Sequence, residues 1–434
     1  MAILFKNAAA VLMDEERTVL HGAFVAVEGT EITHVGTERP AGEFEREIDC
    51  TGKVLLPGFV NTHTHVPMVV MRGAGGGHDL QTWLNEDIFP AEKRWDDRAI
   101  HAATAWGLAE MIASGVTTIT DMYSHADAVA QEIFASGVNA NICNGGMFFG
   151  SESEFDPAKL KDCLEQEAIT AAWAAGTDGQ ILVDASIHAE YTSNPAFWEW
   201  AADFARSHGQ GMHLHLSETE KEHRECVERY GMTPAALMEK HGVFDVRTVA
   251  AHCVWTTPED WEILRRHGVS AAHNPVSNLK LGSGIAPTAE MLRAGVNVCL
   301  GTDGMSSHNG VDFFEDIKLA AILPCGVHRD AMAMGPYDAL KMATVNGARA
   351  LGRSTGEIRV GKTADLILVD FDVPHNVPCH DEVENLVYAS RGSDVRLTMA
   401  RGKVLYENGE YRTIDLERVR AELLGYAMPL IYGK

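Results

Sequence analysis

From Lys53 onward, short runs of apolar and β-branched residues alternate with longer stretches in which apolar positions recur every three or four residues. The first pattern is that of buried strands, the second that of helices with one buried face. The strand candidates are VLLPGFVNTH (54–63), GVTTITDMY (115–123), VNANICN (138–144), ILVDASIH (181–188), GMHLHL (211–216), TVAAHC (248–253), VSAAHN (269–274) and VNVCLGTD (296–303). Helical stretches such as RAIHAATAWGLAEMIAS (98–114), ADAVAQEIFAS (126–136) and PEDWEILRRH (258–267) lie between them. Gly115, Gly137, Gly268 and Gly295 each follow a helix candidate, where a residue free to adopt positive φ ends the helix. Strands separated in this way by helices predict an α/β fold, a (β/α)8 TIM barrel rather than an open sheet.

The pattern changes at both ends. Residues 1–52 read as short strands and turns, as in AFVAVEGTEITHVGT (23–37), and residues 356–413 do the same in ADLILVDF and VRLTMARGKVLYENGEY. Strands flanking a barrel on both sides predict a small composite β domain, a β-sandwich built from the two termini. The expected division is 1–56 and 356–434 for that domain and 57–355 for the barrel, with LERVRAELLGYAMPLI (416–431) as a closing amphipathic helix.

The stretch GEIRVGKT (356–363) matches the letters of a phosphate-binding loop. Such a loop needs a strand before it and a helix after it, so that backbone N–H groups and a helix N-terminus face the phosphate. Here a helical stretch, YDALKMATVNGARALG, precedes, and the strand-like ADLILVDF follows. A nucleoside-triphosphatase is therefore set aside, and the segment is expected to lead from the barrel into the small β domain.

Composition narrows the partners. The 434 residues carry 36 basic and 61 acidic side chains, a net charge of -25, without a Lys/Arg-rich run, so no nucleic-acid partner is expected. No apolar run approaches the roughly 20 residues that span a bilayer. The opening MAILFKNAAAVLMDEER does not read as a secretory signal, because Lys6 falls inside the apolar stretch and acids follow it. The eight cysteines are scattered without a CxxC pair and are expected as reduced, buried thiols. No membrane partner and a cytoplasmic location are the corresponding expectations.

Chemistry-bearing residues cluster at the strand ends. His63 and His65 in PGFVNTHTHVP are two apart on the first barrel strand, so both project to one side, into the barrel mouth, where two imidazoles can grip one metal ion. His215 and Glu218 end the fifth strand candidate in GMHLHLSET, His252 ends the sixth in AAHCVW, and Asp303 ends the eighth in LGTDGMSS. C-terminal strand ends are the face on which barrel active sites are built.

In these segments the chain resembles the amidohydrolase superfamily, and within it the cytosine-deaminase-type branch that includes S-adenosylhomocysteine and methylthioadenosine deaminases. The resemblance runs from PGFVNTHTH through HLSET, AAHCVW, SAAHNPVSNLKLGSGIAP and LGTDG to GEIRVGKTADLILVD, nearly the whole chain. It implies His63, His65, His215 and Asp303 as metal ligands, and Glu218, His252 and Asp303 as the residues that handle protons. His213 stands two before His215, but the family's spacing to Glu218 selects His215 as the ligand. Binuclear members use a bridging carboxylated lysine; the fourth strand candidate, ILVDASIHAEYT, has none, so a single divalent ion is expected, Zn²⁺ with Fe²⁺ as the alternative. The implied reaction is hydrolytic deamination of an aminopurine nucleoside, with Glu218 protonating the ring nitrogen and His252 or Asp303 receiving the proton of the attacking water.

The resemblance further implies that Trp83 and Glu92, in LQTWLNEDIFPAEKRW, pack on the nucleoside and accept the ribose hydroxyls, and that His188 contacts the purine. One departure stands out. Members that hold the homocysteine carboxylate have an Arg-Gly pair ending the third strand, whereas this chain reads NICNGG, with Asn144 before Gly145. A neutral amide cannot form the bidentate pair, which moves the expectation toward adenosine, methylthioadenosine or 5'-deoxyadenosine. Rival readings are a mononuclear hydrolase of another heterocycle (guanine, a pterin or a chlorinated triazine) and a non-catalytic binding protein on the same scaffold. The H-x-E signature of the other zinc deaminases is half met by His188-Ala189-Glu190, but the later P-C-x-x-C is missing. A small-molecule substrate and a homo-oligomer complete the expectations.

Overall fold

The computed structural model describes residues 2–433. The eight strand segments all form strands, and they pair in parallel. One five-stranded set runs Ala185–Ile187, Met212–Leu216, Thr248–His252, Ser270–His273, Asn297–Leu300. The other runs Asp303–Gly304, Phe59–His65, Val116–Met122, Asn139–Cys143, Ile181–Val183. Nearly every residue of these strands is buried, because helices pack outside them and side chains fill the interior.

Two of the expected strands are each split. The fourth breaks at Asp184, whose buried carboxylate accepts from Gly211 N (3.0 Å) and Asn141 Nδ2 (2.8 Å) and pairs with Arg247 at 2.5 Å. The eighth breaks at Gly301–Thr302. A Cβ on Gly301 would lie 2.4 Å from Asn274 Oδ1 and 2.8 Å from the Cβ of His63, so only glycine permits this approach.

The helices follow the predicted periodicity: Asp97–Ala113, Ala126–Ser136 and Pro258–His267 lie between strands, and Gly137 and Gly268 end two of them at positive φ. Strands from the two ends of the chain share one nine-stranded sheet. Lys53–Pro57 pairs antiparallel with Leu366–Asp370 and parallel with Ala2–Val11; Val395–Ala400 and Lys403–Glu407 extend one side, Val19–Glu28 and Glu31–Gly36 the other. The closing helical segment begins at Leu416–Glu422 and packs on Asp97–Ala113, where Arg98 pairs with Glu422 at 2.8 Å. None of the eight cysteines is paired; six are buried, Cys325 is partly buried and Cys379 is exposed. No helix among the described residues is long and apolar enough to cross a membrane.

Candidate active site

The candidate residues meet at one end of the parallel strands. Asp303 stands opposite Thr64 and Gly304 opposite His65, which joins the eighth and first strand ends, while Leu216 opposite His252 joins the fifth and sixth. The two pairs meet through their side chains, as at His65 and His215. Ser217, His252 and Asp303 have positive φ (47°, 74° and 63°), a conformation that side chains disfavour and that here turns the chain over at the strand ends.

His63, His65 and Asp303 form one buried group of potential ligand atoms, and His63, His215 and His252 form a second that shares His63. His63 Nε2 lies 3.4 Å and His65 Nε2 3.2 Å from Asp303 Oδ1, and the Nε2 atoms of His65 and His215 are 3.4 Å apart. Donors held 2.0–2.1 Å from one tetrahedral zinc stand about 3.3–3.4 Å from each other, so these spacings suit a single ion. Each donor is oriented from behind. His65 Nδ1–H donates to Met122 O (2.5 Å) and His215 Nδ1–H to His188 O (2.6 Å), which leaves both Nε2 lone pairs facing inward. His63 Nδ1 lies 2.8 Å from His213 Nε2, while His63 Nε2 is buried without a hydrogen-bond partner. Ser277 Oγ (2.6 Å) and Ser307 Oγ (2.9 Å) both donate to Asp303 Oδ2, leaving Oδ1 toward the imidazoles.

Burial governs the charges. It pushes His63 down to about 3 and His215 well below its usual range. Burial alone would also depress His65 and raise Asp303, but their mutual hydrogen bond and opposite charges override it, lifting His65 to about 9 and holding the Asp303 carboxyl far down. Two imidazoles held neutral by burial, a third whose proton a cation would replace, and an ionised carboxylate make a donor set for a divalent cation.

Glu218 and His252 stand beside this centre, with Glu218 Oε2 3.7 Å from His252 Nε2. Burial raises the Glu218 carboxyl, and Ser283 Oγ donates to its Oε1 at 3.3 Å. His252 Nδ1–H donates to Asn278 Oδ1 at 2.8 Å, so its Nε2 carries the free lone pair. The turn that presents Glu218 is capped by Glu222, whose carboxylate accepts from Ser217 N (2.8 Å) and Glu218 N (2.7 Å).

A cavity opens over the centre, and His65, His215, Glu218, His252 and Asp303 line its floor. Trp83, Glu92, His188 and Asn144 line its walls. Glu92 Oε1 accepts from Tyr123 OH at 2.7 Å, and the His188 ring lies 4.7 Å from that of His215. Asn144 is committed within the protein: Nδ2 donates to Asp162 O (2.7 Å) and Oδ1 accepts from Ser186 Oγ (3.2 Å). His213 faces the back of His63 and is not among the lining residues. The supporting residues Ser277, Asn278, Ser283, Ser307 and Glu222 escaped the sequence reading, although the first three lie in the quoted SAAHNPVSNLKLGSGIAP and Ser307 follows LGTDG.

Residues 54–405 match the model of the amidohydrolase family. The chain belongs to this family. Among curated relatives, this amidohydrolase is 40% identical to a 5-methylthioadenosine/S-adenosylhomocysteine deaminase of Caldanaerobacter subterraneus subsp. tengcongensis, over 100% of both chains. It is likewise 40% identical to a 5'-deoxyadenosine deaminase of Methanosarcina acetivorans, over 99% of this chain and 98% of that one. Among solved structures, an adenosine deaminase from Xanthomonas campestris with bound zinc superposes with a TM-score of 0.92 at 30% identity, covering 99% of this amidohydrolase and 98% of that chain.

Proposed function

We propose that this amidohydrolase removes the amino group of an adenine nucleoside by hydrolysis, giving the inosine-type product and ammonia. The observation that carries the reading is the placement of an acid–base pair, Glu218 and His252, against a four-donor site at the floor of a cavity with an aromatic wall. The names of the 40%-identical relatives support the same substrate class.

His63, His65, His215 and Asp303 would hold one divalent ion, Zn²⁺ in preference to Fe²⁺. Such an ion makes water acidic, lowering its pKa from 15.7 to about 7, so that a nucleophile is available at neutral pH. Glu218, raised by burial, carries a proton to the ring nitrogen next to the carbon under attack. His252 accepts the proton of the incoming water through Nε2, the nitrogen left free by Asn278, and Asp303 assists through the same centre. Trp83 packs on the nucleoside, His188 contacts the purine, and the Glu92 oxygen not engaged by Tyr123 accepts a ribose hydroxyl.

In the architecture that supports this chemistry, the two parallel sets are one closed (β/α)8 barrel (57–355), interrupted at Asp184 and at Gly301–Thr302. Segments 1–56 and 356–434 form the small β domain against it. A cytoplasmic location fits a nucleoside substrate.

The test is ammonia release and the absorbance change of adenine to hypoxanthine across adenosine, 5'-deoxyadenosine, methylthioadenosine and S-adenosylhomocysteine, with guanine as a control. Inertness toward all four nucleosides would refute the reading. Glu218→Gln should keep its metal and lose about 10²–10⁴-fold in kcat; wild-type turnover in that variant would remove Glu218 from its role.

A further inference from the structure

The cavity walls carry a second message, which rests on the nucleoside reading above. The ionisable groups on its surface include the carboxyls of Glu92, Glu218 and Asp303, and among the described residues that line it none is Lys or Arg. One wall is apolar: Leu80, Trp83, Leu84, Ile88 and Phe89 come from a single segment, and Met147 joins them from the loop after the third strand.

Backbone donors do not replace the missing cation. Along the loop after Asn144, Gly145 N and Gly146 N both donate to Ser186 Oγ (2.9 and 3.4 Å), Met147 N to Asp162 Oδ2 (2.8 Å) and Phe148 N to Thr192 O (2.9 Å). The Asn144 amide is held by Asp162 and Ser186, as described. Of the cations on or near this wall, Arg72 is engaged with Glu110, Arg94 with Ile431 O at 2.6 Å and Lys221 with Gln81, and Lys93 is exposed and does not line the cavity. Besides its histidines, the cavity offers an anion the hydroxyls of Ser124 and Tyr191, with no guanidinium or ammonium, so a carboxylate entering it gives up its water without gaining a charged side chain of Lys or Arg.

We propose that the site selects adenine nucleosides whose 5' carbon bears hydrogen or an uncharged apolar group, and rejects those bearing a carboxylate or a phosphate. A methylthio or longer alkylthio chain gains contact with the Leu80–Phe89 wall and Met147. A homocysteine carboxylate or a 5'-phosphate meets apolar atoms and acids.

The deciding measurement is kcat/KM of the metal-loaded wild-type enzyme for 5'-deoxyadenosine, methylthioadenosine, 5'-propylthio-5'-deoxyadenosine, S-adenosylhomocysteine and adenosine 5'-monophosphate. The first three should agree within about tenfold, since apolar increments change specificity modestly, and the last two should fall about 100-fold or more below them. The propylthio compound separates bulk from charge. If it is as poor as S-adenosylhomocysteine, size and not charge sets the limit and the proposal falls. It also falls if S-adenosylhomocysteine comes within about tenfold of the propylthio compound. Failure of every nucleoside, 5'-deoxyadenosine included, would instead refute the deaminase reading on which the proposal rests. Met147→Arg should narrow the gap between S-adenosylhomocysteine and methylthioadenosine by about tenfold, because it supplies a guanidinium to the carboxylate.

Discussion

His213 stands behind the candidate ligand His63 and outside both groups of potential ligand atoms. The strand alternation that aims His215 at the cavity aims His213 the same way one step deeper, where it meets Nδ1 of His63 at 2.8 Å. His213→Ala should therefore weaken zinc binding by about 10–100-fold while leaving a metal-binding protein, measured by competition with a chelating dye. His63→Ala should abolish binding. At the other side of Asp303, His308 is buried against Asp316 at 2.8 Å. Burial alone would lower its pKa, but the Asp316 charge and hydrogen bond win and raise it above the ordinary 6.5. A raised folded value stabilises the protein fully below pH 6.5, and that contribution is lost as pH climbs through the folded value. His308→Asn should therefore flatten the decline of Tm on the alkaline side of pH 6.5, and a slope equal to wild type would exclude the pair as its source. The residues legible in the sequence were those with spacing to give them away: two histidines at i and i+2, an acid three after a histidine. Ser277, Ser307 and Asn278 had no such signal, since a hydroxyl or amide acting behind a ligand looks like any other small polar residue.

Among the elements, the turn from the fifth strand into the helix Glu220–Tyr230 deserves the closest test. Thr219 caps that helix and Glu222 reaches back to the N–H groups of Ser217 and Glu218, so one side chain both starts a helix and fixes the direction of the proposed acid. Glu222→Ala should cost about 1–2 kcal/mol in stability through the lost cap. It should also reduce kcat about tenfold or more at unchanged metal content, because proton transfer depends on placement to within a hydrogen bond. Metal analysis and urea unfolding on one sample separate the two effects. The strand and helix pattern was readable because buried strands and half-buried helices leave different periodicities. The interruptions were not. Asp184 reads as part of a continuous strand until its carboxylate is seen bonding Gly211 N and Asn141 across the interior. Gly301 reads as a turn residue, although what requires it is the closeness of His63 and Asn274.

In the molecule as a whole, GEIRVGKT joins the barrel-type strands to the terminal sheet. Ile358 N donates to Leu12 O (2.9 Å), Gly361 N to Ile32 O (2.8 Å), Lys362 N to Arg359 O (3.1 Å) and Thr363 N to Ser354 O (2.9 Å), so four N–H groups of this stretch are consumed by the protein itself. The strand Leu366–Asp370 follows, as its apolar run predicted. Arg353, just ahead of it, is partly buried, and the loss of water around its guanidinium pushes it down to about 10. It donates to Asn141 Oδ1 (2.9 Å) and to the carbonyls of Gly179 (2.9 Å) and Ala140. Arg353→Met leaves those acceptors unpaired and should cost about 2–5 kcal/mol. Its kcat should be unchanged, because Ala140 and Asn141 lie in the first three positions of the strand Asn139–Cys143 and the candidate site lies beyond its end. Loss of activity without loss of stability would contradict that division of labour. The pairing of Lys53–Pro57 with Leu366–Asp370 carries one more consequence, and it concerns time. The chain is made from its N-terminus, and the two partners, one ending at Pro57 and the other beginning at Leu366, lie 309 positions apart. At roughly 5–20 residues per second, the early strands emerge from the ribosome about 15–60 s before their neighbours exist. Throughout that interval the newborn protein displays an unpaired sheet edge, the surface most open to a wrong partner or a chaperone.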